Sequence, residues 1–99
     1  MRLDTFIFGG IVFTLDVLEL TVEKDTPLDE YRTNVGEGID DVIREFNAIE
    51  NELDTGDLEF YTAELEICID DDMDREQIRA TVLDCISNIR SEIRNISEG

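Results

Sequence analysis

The residues best suited to bind a cation are the carboxylates of residues 70–74, Asp-Asp-Asp-Met-Asp. Oxygen ligands at alternate positions are typical of calcium loops, so the weak candidate ligands are Asp70, Asp72 and Asp74. An EF-hand loop begun at Asp70 would need Gly where Arg75 stands and Glu where Thr81 stands. We therefore expect no metal site, but a solvated turn whose acids favour the start of the next helix.

Nucleophilic chemistry has few candidates. Cys68 and Cys85 fall in a predicted strand and a predicted helix, and the chain has no His to complete a zinc site. Gly36 and Gly38 lie inside a predicted helical stripe, whereas a dinucleotide-binding loop directly follows a strand. We expect two core thiols, no cofactor and no catalytic activity.

The chain is strongly acidic, with 26 acidic and 8 basic residues, a net charge of -18 and a single lysine, Lys24. Such a surface repels phosphate and anionic lipid, which argues against direct binding to nucleic acid or membranes. No apolar run is long enough to span a bilayer and no secretory signal is recognisable, so we expect a cytoplasmic protein, or a virion protein if viral. Two interpretations of the charge are halophilic adaptation and mimicry of a nucleic-acid backbone.

A shift of 47 positions superposes residues 11–49 on residues 58–96 without a gap. This match predicts an internal duplication of one unit. The identical pairs include Phe13 with Phe60, Leu18 with Leu65, Glu19 with Glu66, Asp25 with Asp72 and Arg32 with Arg79.

Each unit is predicted to be a strand followed by a helix. In the second, Leu58 and Phe60 share one parity while Ala63, Leu65, Ile67 and Ile69 share the other, as a one-residue bulge would produce. Asp74 and Gln77 predict a capping box, and Met73 a hydrophobic staple. The helix stripes are Leu28, Tyr31, Val35, Ile39, Val42, Phe46, Ile49 and Leu53, and then Ile78, Val82, Cys85 or Ile86, Ile89, Ile93 and Ile96.

An extra strand, residues 3–8, is predicted to form a tight hairpin through Gly9 and Gly10. The expected fold is a two-layer α+β domain over residues 1–99, in the order β-β-α-β-α, with both helices on one face of a small mixed sheet. Its parts are a hairpin arm at 1–10 and repeats at 11–49 and 58–96. The apolar hairpin predicts a partner interface formed by Phe6, Phe8, Val12 and Val17. The alternative is local burial of these residues by a loop of the same chain.

The predicted strand, acidic turn and helix of residues 57–96 resemble a segment of tail-terminator and tail-completion proteins of tailed viruses. Those proteins are small α+β ring subunits without catalytic activity, so the resemblance implies a structural role. That family usually opens with a helix, whereas this chain opens with the predicted hairpin.

The leading hypothesis is a non-enzymatic assembly protein, a virion tail or neck subunit from a halophilic system, that forms a homo-oligomer or larger assembly. Arg79, Arg90 and Arg94 would pair with acids of a neighbouring subunit. The alternative is an acidic inhibitor that mimics nucleic acid and masks a DNA-binding or nuclease complex. Its acidic face would consist of Glu64, Glu66, Asp70, Asp71, Asp72 and Asp74.

Overall fold

A computed structural model describes residues 8–50 and 57–98, with the side chains of all of these except 97 and 98. It contains four helices in this part of the chain: α1 (Gly9–Glu23), α2 (Leu28–Ile49), α3 (Leu58–Glu66) and α4 (Arg75–Glu98). No strand occurs among the described residues. The predicted α+β fold, β-β-α-β-α around a mixed sheet, is therefore wrong, because the described fold is all α-helical.

The predicted strands of the two repeats are helices, α1 and α3, because their buried residues follow the helical period. The buried side chains of α1 are Ile11, Leu15, Leu18 and Val22, and those of α3 are Leu58, Thr62 and Leu65. Spacings of four and three residues place these side chains on one face of a helix. The bulge predicted between Phe60 and Ala63 was needed because a helical pattern with a period of 3.6 residues does not fit the two-residue alternation of a strand.

The predicted N-terminal hairpin is also wrong in its described part. Gly9 and Gly10 are the first residues of α1, so they do not form a turn between strands. Phe8, only 1% exposed, belongs to the hydrophobic core. Residues 1–7, which include Phe6, lie outside the described residues.

The two long helices begin where the sequence predicts. Pro27 immediately precedes α2, and the capping box before α4 is confirmed: the Asp74 amide donates to Gln77 Oε1 at 3.0 Å, and the Gln77 amide donates to Asp74 Oδ1 at 2.9 Å. Within the described residues the predicted stripes supply most of the core, which includes Tyr31, Val35, Ile39, Val42, Phe46, Ile78, Val82, Cys85, Ile86, Ile89 and Ile93.

The helices form a bundle in which α1 packs against α2 and α4, and α3 packs against the same two helices. Helices α1 and α3 therefore occupy opposite corners of the bundle. Gly38 permits close contact between α1 and α2, because a Cβ added there would lie 2.8 Å from Leu18 Cδ1.

The helices coincide with the proposed repeats. Helix α2 begins at Leu28 and α4 begins at Arg75, which is the same separation of 47 residues that aligns the two halves of the sequence. Buried residues also correspond, since Leu15, Leu18 and Val42 match Thr62, Leu65 and Ile89. The duplication itself stays a prediction, now of a helical hairpin in place of a strand-helix unit.

Candidate protein-interaction surface

The outward surface of α1 is apolar, and we call it the α1 face. It consists of Val12, Phe13, Val17 and Leu20, whose exposed fractions are 40%, 67%, 40% and 65%. At 100° per residue, Phe13 and Leu20 point about 180° away from the buried side chains of this helix. Helix α1 is thus apolar on both sides, a pattern that is typical of a helix buried in a larger assembly.

Asp16 lies between Phe13 and Leu20 on the α1 face and Glu19 lies at its edge, and both acids are paired with a cation. The Arg90 guanidinium of α4 donates to Asp16 Oδ1 at 2.6 Å and to Glu19 Oε2 at 3.2 Å. The hydrogen bond with Glu19 raises the pKa of Arg90, which is half-buried at this seam. Charge that would otherwise surround the apolar side chains is therefore partly neutralised within the chain.

The outward surface of α3, which we call the α3 face, has the same apolar line with a different rim. Phe60 on α3 and Ile67, the residue directly after its last turn, are exposed by 61% and 77% and stand 47 positions after Phe13 and Leu20. Ala63 lies exposed between them. The α3 face also includes three carboxylates that flank its apolar residues, Glu59, Glu64 and Glu66.

The end of the bundle where α1 meets α4 carries several basic groups that serve to join elements. Arg75 Nη1 donates to Asp25 at 3.1 Å, another of its nitrogens donates to the Thr26 carbonyl, and its guanidinium stacks over the Tyr31 ring at 5.6 Å. The Tyr31 hydroxyl donates to the Val22 carbonyl at 2.7 Å. These contacts close the end of the bundle. Among the described residues, the buried Nε atoms of Arg32 and Arg75 have no hydrogen-bond partner.

The acidic residues singled out in the sequence do not form one sheet face. Glu64 and Glu66 lie on α3, on either side of its apolar line, while Asp70, Asp71 and Asp72 are exposed in the loop before α4. Asp74 caps α4. Among the described residues no group of three or more acids or cysteines could hold a metal ion.

The two cysteines are free thiols in an apolar environment. Cys68 is half-buried in the loop after α3, not in a strand, and Cys85 is buried on α4. Burial raises the pKa of both thiols, that of Cys68 to about 12. Neutral thiols of this kind are poor nucleophiles and poor metal ligands at neutral pH.

The predicted interface residues are divided by the fold. Val12 and Val17 are exposed on the α1 face, whereas Phe8 is in the core. Arg90, which was expected to pair with acids of a neighbouring subunit, instead pairs with acids of its own chain. Arg79 and Arg94 are exposed. Sequence reasoning missed the exposed side chains that a helical period places opposite the core, which are Phe13, Leu20, Phe60 and Ile67.

None of the described helices is long and apolar enough to cross a membrane. The strand over residues 58–69 on which the resemblance to tail-terminator proteins depended is not formed, since Leu58–Glu66 is a helix. No protein-family model matches this sequence, and no curated protein or solved structure is significantly similar to it.

Proposed function

We propose that the protein is a non-enzymatic assembly protein that self-associates through the α1 face. The observation that carries this proposal is the contrast between an extremely acidic chain and a helix whose outward surface is apolar. The proposal keeps the expected structural role but not a particular place in a virion, because the segment that suggested a tail or neck subunit is helical.

Self-association suits the α1 face because its apolar residues can meet those of a second copy. In a twofold arrangement the same patch faces itself, so like charges at its centre would be costly. On the α1 face Asp16 lies between Phe13 and Leu20, and its charge and that of Glu19 are partly offset by their pairs with Arg90.

The size of the α1 face is sufficient for a modest interface. From the exposed fractions, its four side chains offer roughly 350 Å² of apolar surface, comparable to the largest patch of an ordinary monomer. Two such faces supply roughly 700 Å² of apolar surface, so their rims must supply the rest of the total of about 1,200 Å² at which stable interfaces begin. Long-range repulsion between two chains of charge -18 opposes the contact at low salt.

The test is the molar mass of the full chain by light scattering, at low salt and at about 2 M KCl, where exposed charges are screened. We expect a mass above that of the 11.3 kDa monomer, favoured at high salt. Phe13→Asp should give a monomer. Phe60→Asp, at the matching repeat position and similarly exposed, should behave as the unmodified protein. A monomer at both salt concentrations, or equal effects of the two substitutions, would contradict the proposal.

The acidic-inhibitor hypothesis makes a different prediction. Binding that depends on mimicry of a nucleic-acid backbone should weaken steeply as salt rises, since it depends on long-range attraction. The carboxylates named for it are distributed over α3, a loop and a helix cap, and the described residues show no row of them along one element. We therefore rank it below assembly.

A further inference from the structure

The α3 face is the repeat counterpart of the α1 face, but acids replace valines at its rim. Glu59 and Glu64 stand where the α1 face has Val12 and Val17. Because both pairs lie on helices at equivalent positions, the substitution places two carboxylates where the α1 face has valines. The acids of the α1 face, Asp16 and Glu19, are paired with Arg90. The position of Glu66 adds a third carboxylate to one of the flanks.

These carboxylates have no cation partner in the part of the chain that the structure describes. Elsewhere in that part, acids on the sides of helices do pair: Asp16 and Glu19 with Arg90, and Asp41 with Arg44. On the α2 side of α3, the position that matches Arg90 is occupied by Ile43, which cannot neutralise a carboxylate. The three glutamates are therefore available to a positively charged partner.

We propose that the α3 face binds a basic amphipathic helix of another protein. The apolar side of such a helix would contact Phe60 and Ile67, and its Lys or Arg side chains would reach the flanking glutamates. A second copy of this acidic chain is disfavoured there, because its own glutamates would face those of the first. Charge complementarity thus selects a cationic occupant.

Phe60, which is 61% exposed, makes one aromatic contact within the chain. Its ring makes an edge contact with the Tyr61 ring, with centroids 5.7 Å apart and planes at 66°. Tyr61 is half-buried and packs against the core. Most of the Phe60 ring therefore stays accessible to the apolar side of a helical ligand.

The α1 and α3 faces can be occupied at the same time. Each points away from the core, and their helices lie at opposite corners of the bundle. The second surface therefore goes beyond self-association and does not depend on it: a dimer formed through α1 would present two α3 faces to cationic helices.

The experiment measures binding of a fluorescent helical peptide of about 18 residues, made of leucine and lysine with an apolar stripe, by anisotropy. Phe60→Ala with Ile67→Ala should weaken binding by about tenfold or more, because the anchors are lost. Phe13→Ala with Leu20→Ala is the matched control and should change it less than about twofold. Equal loss in the two double variants would overturn the proposal.

A second comparison separates the local rim from the overall negative charge. Glu59→Gln, Glu64→Gln and Glu66→Gln together should weaken binding by about tenfold or more relative to Asp29→Asn, Glu30→Gln and Glu37→Gln, which remove the same charge from exposed positions of α2. Equal loss in both triple variants would show attraction to the whole chain and overturn the proposal.

A third comparison separates the α3 face from self-association. The Phe13→Asp protein should bind the peptide like the unmodified chain, whether or not it is monomeric. No peptide binding, together with loss of oligomers in Phe60→Asp, would assign the α3 face to a second copy and overturn the inference.

Discussion

The outward surfaces of α1 and α3 share one design and differ in their rims. Both place an aromatic and an aliphatic side chain seven residues apart, opposite the core: Phe13 with Leu20, and Phe60 with Ile67. Val12 and Val17 flank this line on α1, where α3 has Glu59 and Glu64. Glu19 and Glu66 match, but of the two only Glu19 is paired with an arginine within the described residues. The comparison teaches that an exposed apolar line indicates a contact surface, while its rim determines which charge of partner can approach.

The contacts beside the two faces, between α1 and α4 and between α2 and α3, also differ in how far they neutralise negative charge. Arg90 joins α4 to α1 through Asp16 and Glu19. At the matching positions between α2 and α3 stand Ile43, Ala63 and Glu66, and no cation of the described residues forms an ion pair with Glu66. The Arg90 pairs lower the negative charge around the α1 face. The contact between α2 and α3 does not lower the negative charge around the α3 face.

The largest expected effect tests whether the two helical hairpins, α1 with α2 and α3 with α4, share one core. Leu18→Ala and Leu65→Ala each truncate a side chain that is 0% exposed, at matching repeat positions. Each should lower the free energy of unfolding by about 2–5 kcal/mol in a single cooperative transition, measured by circular dichroism in urea. Leu20→Ala, on the exposed surface, is the control and should change it by less than about 0.5 kcal/mol. Two separate transitions would show that the hairpins are independent.

Only the second helical hairpin, α3 with α4, carries the thiols Cys68 and Cys85. The first hairpin, α1 with α2, has Thr21 and Gly38 at the matching positions. The pKa of Cys68 is raised to about 12 by burial, so iodoacetamide should label it at pH 8 on the order of a hundredfold more slowly than in the urea-unfolded chain. A Cys85→Ala variant assigns the signal.

The pH dependence follows from the same raised pKa. The folded state keeps the Cys68 proton longer than the unfolded state, so its contribution to stability is present below the unfolded pKa of about 9 and is lost as pH rises towards 12. The labelling rate should keep increasing above pH 9. A rate that levels off by pH 9 would contradict the buried environment of this thiol.

Two glycines of α2 test the close approach of α1. A Cβ at Gly36 would meet nothing within 4 Å, whereas one at Gly38 would lie 2.8 Å from Leu18 Cδ1. Gly36→Ala should raise the free energy of unfolding by about 0.5–1 kcal/mol through helix propensity. Gly38→Ala should lack this gain, because the buried leucine must move. Equal stabilisation by both would mean that α1 and α2 are less closely packed than described.

The smallest expected effect concerns the seam between α1 and α4. Arg90→Gln should lower the free energy of unfolding by about 0.5–1 kcal/mol at low salt, since its ion pairs are partly exposed. Arg44→Gln is the control, because the Arg44 side chain is 72% exposed and, within the described residues, pairs only with Asp41. Its effect should be near zero. The difference should shrink at about 1 M KCl. A difference that does not depend on salt would assign the effect to packing of the Arg90 stem.

The sequence predicted α2 and α4 well because long apolar stripes and local caps encode them. The pair Asp74 and Gln77 forms the expected capping box within four residues of chain. The shorter elements were misassigned for a physical reason: exposed Phe13, Leu20, Phe60 and Ile67 add apolar residues outside the core stripe, and the sum resembles an alternating strand. The residues that obscured the helical period are the ones that we assign to partner surfaces.

By itself, the sequence determined the charge, the period of 47 residues, the two long helices and the shortage of catalytic residue types. Only the tertiary structure decided that α1 and α3 are helices on opposite corners of a bundle, that Phe8 is in the core, and that Arg90 is paired within the chain. The reason is that caps and stripes depend on neighbours along the chain, whereas burial of a short apolar segment depends on which helices pack against it.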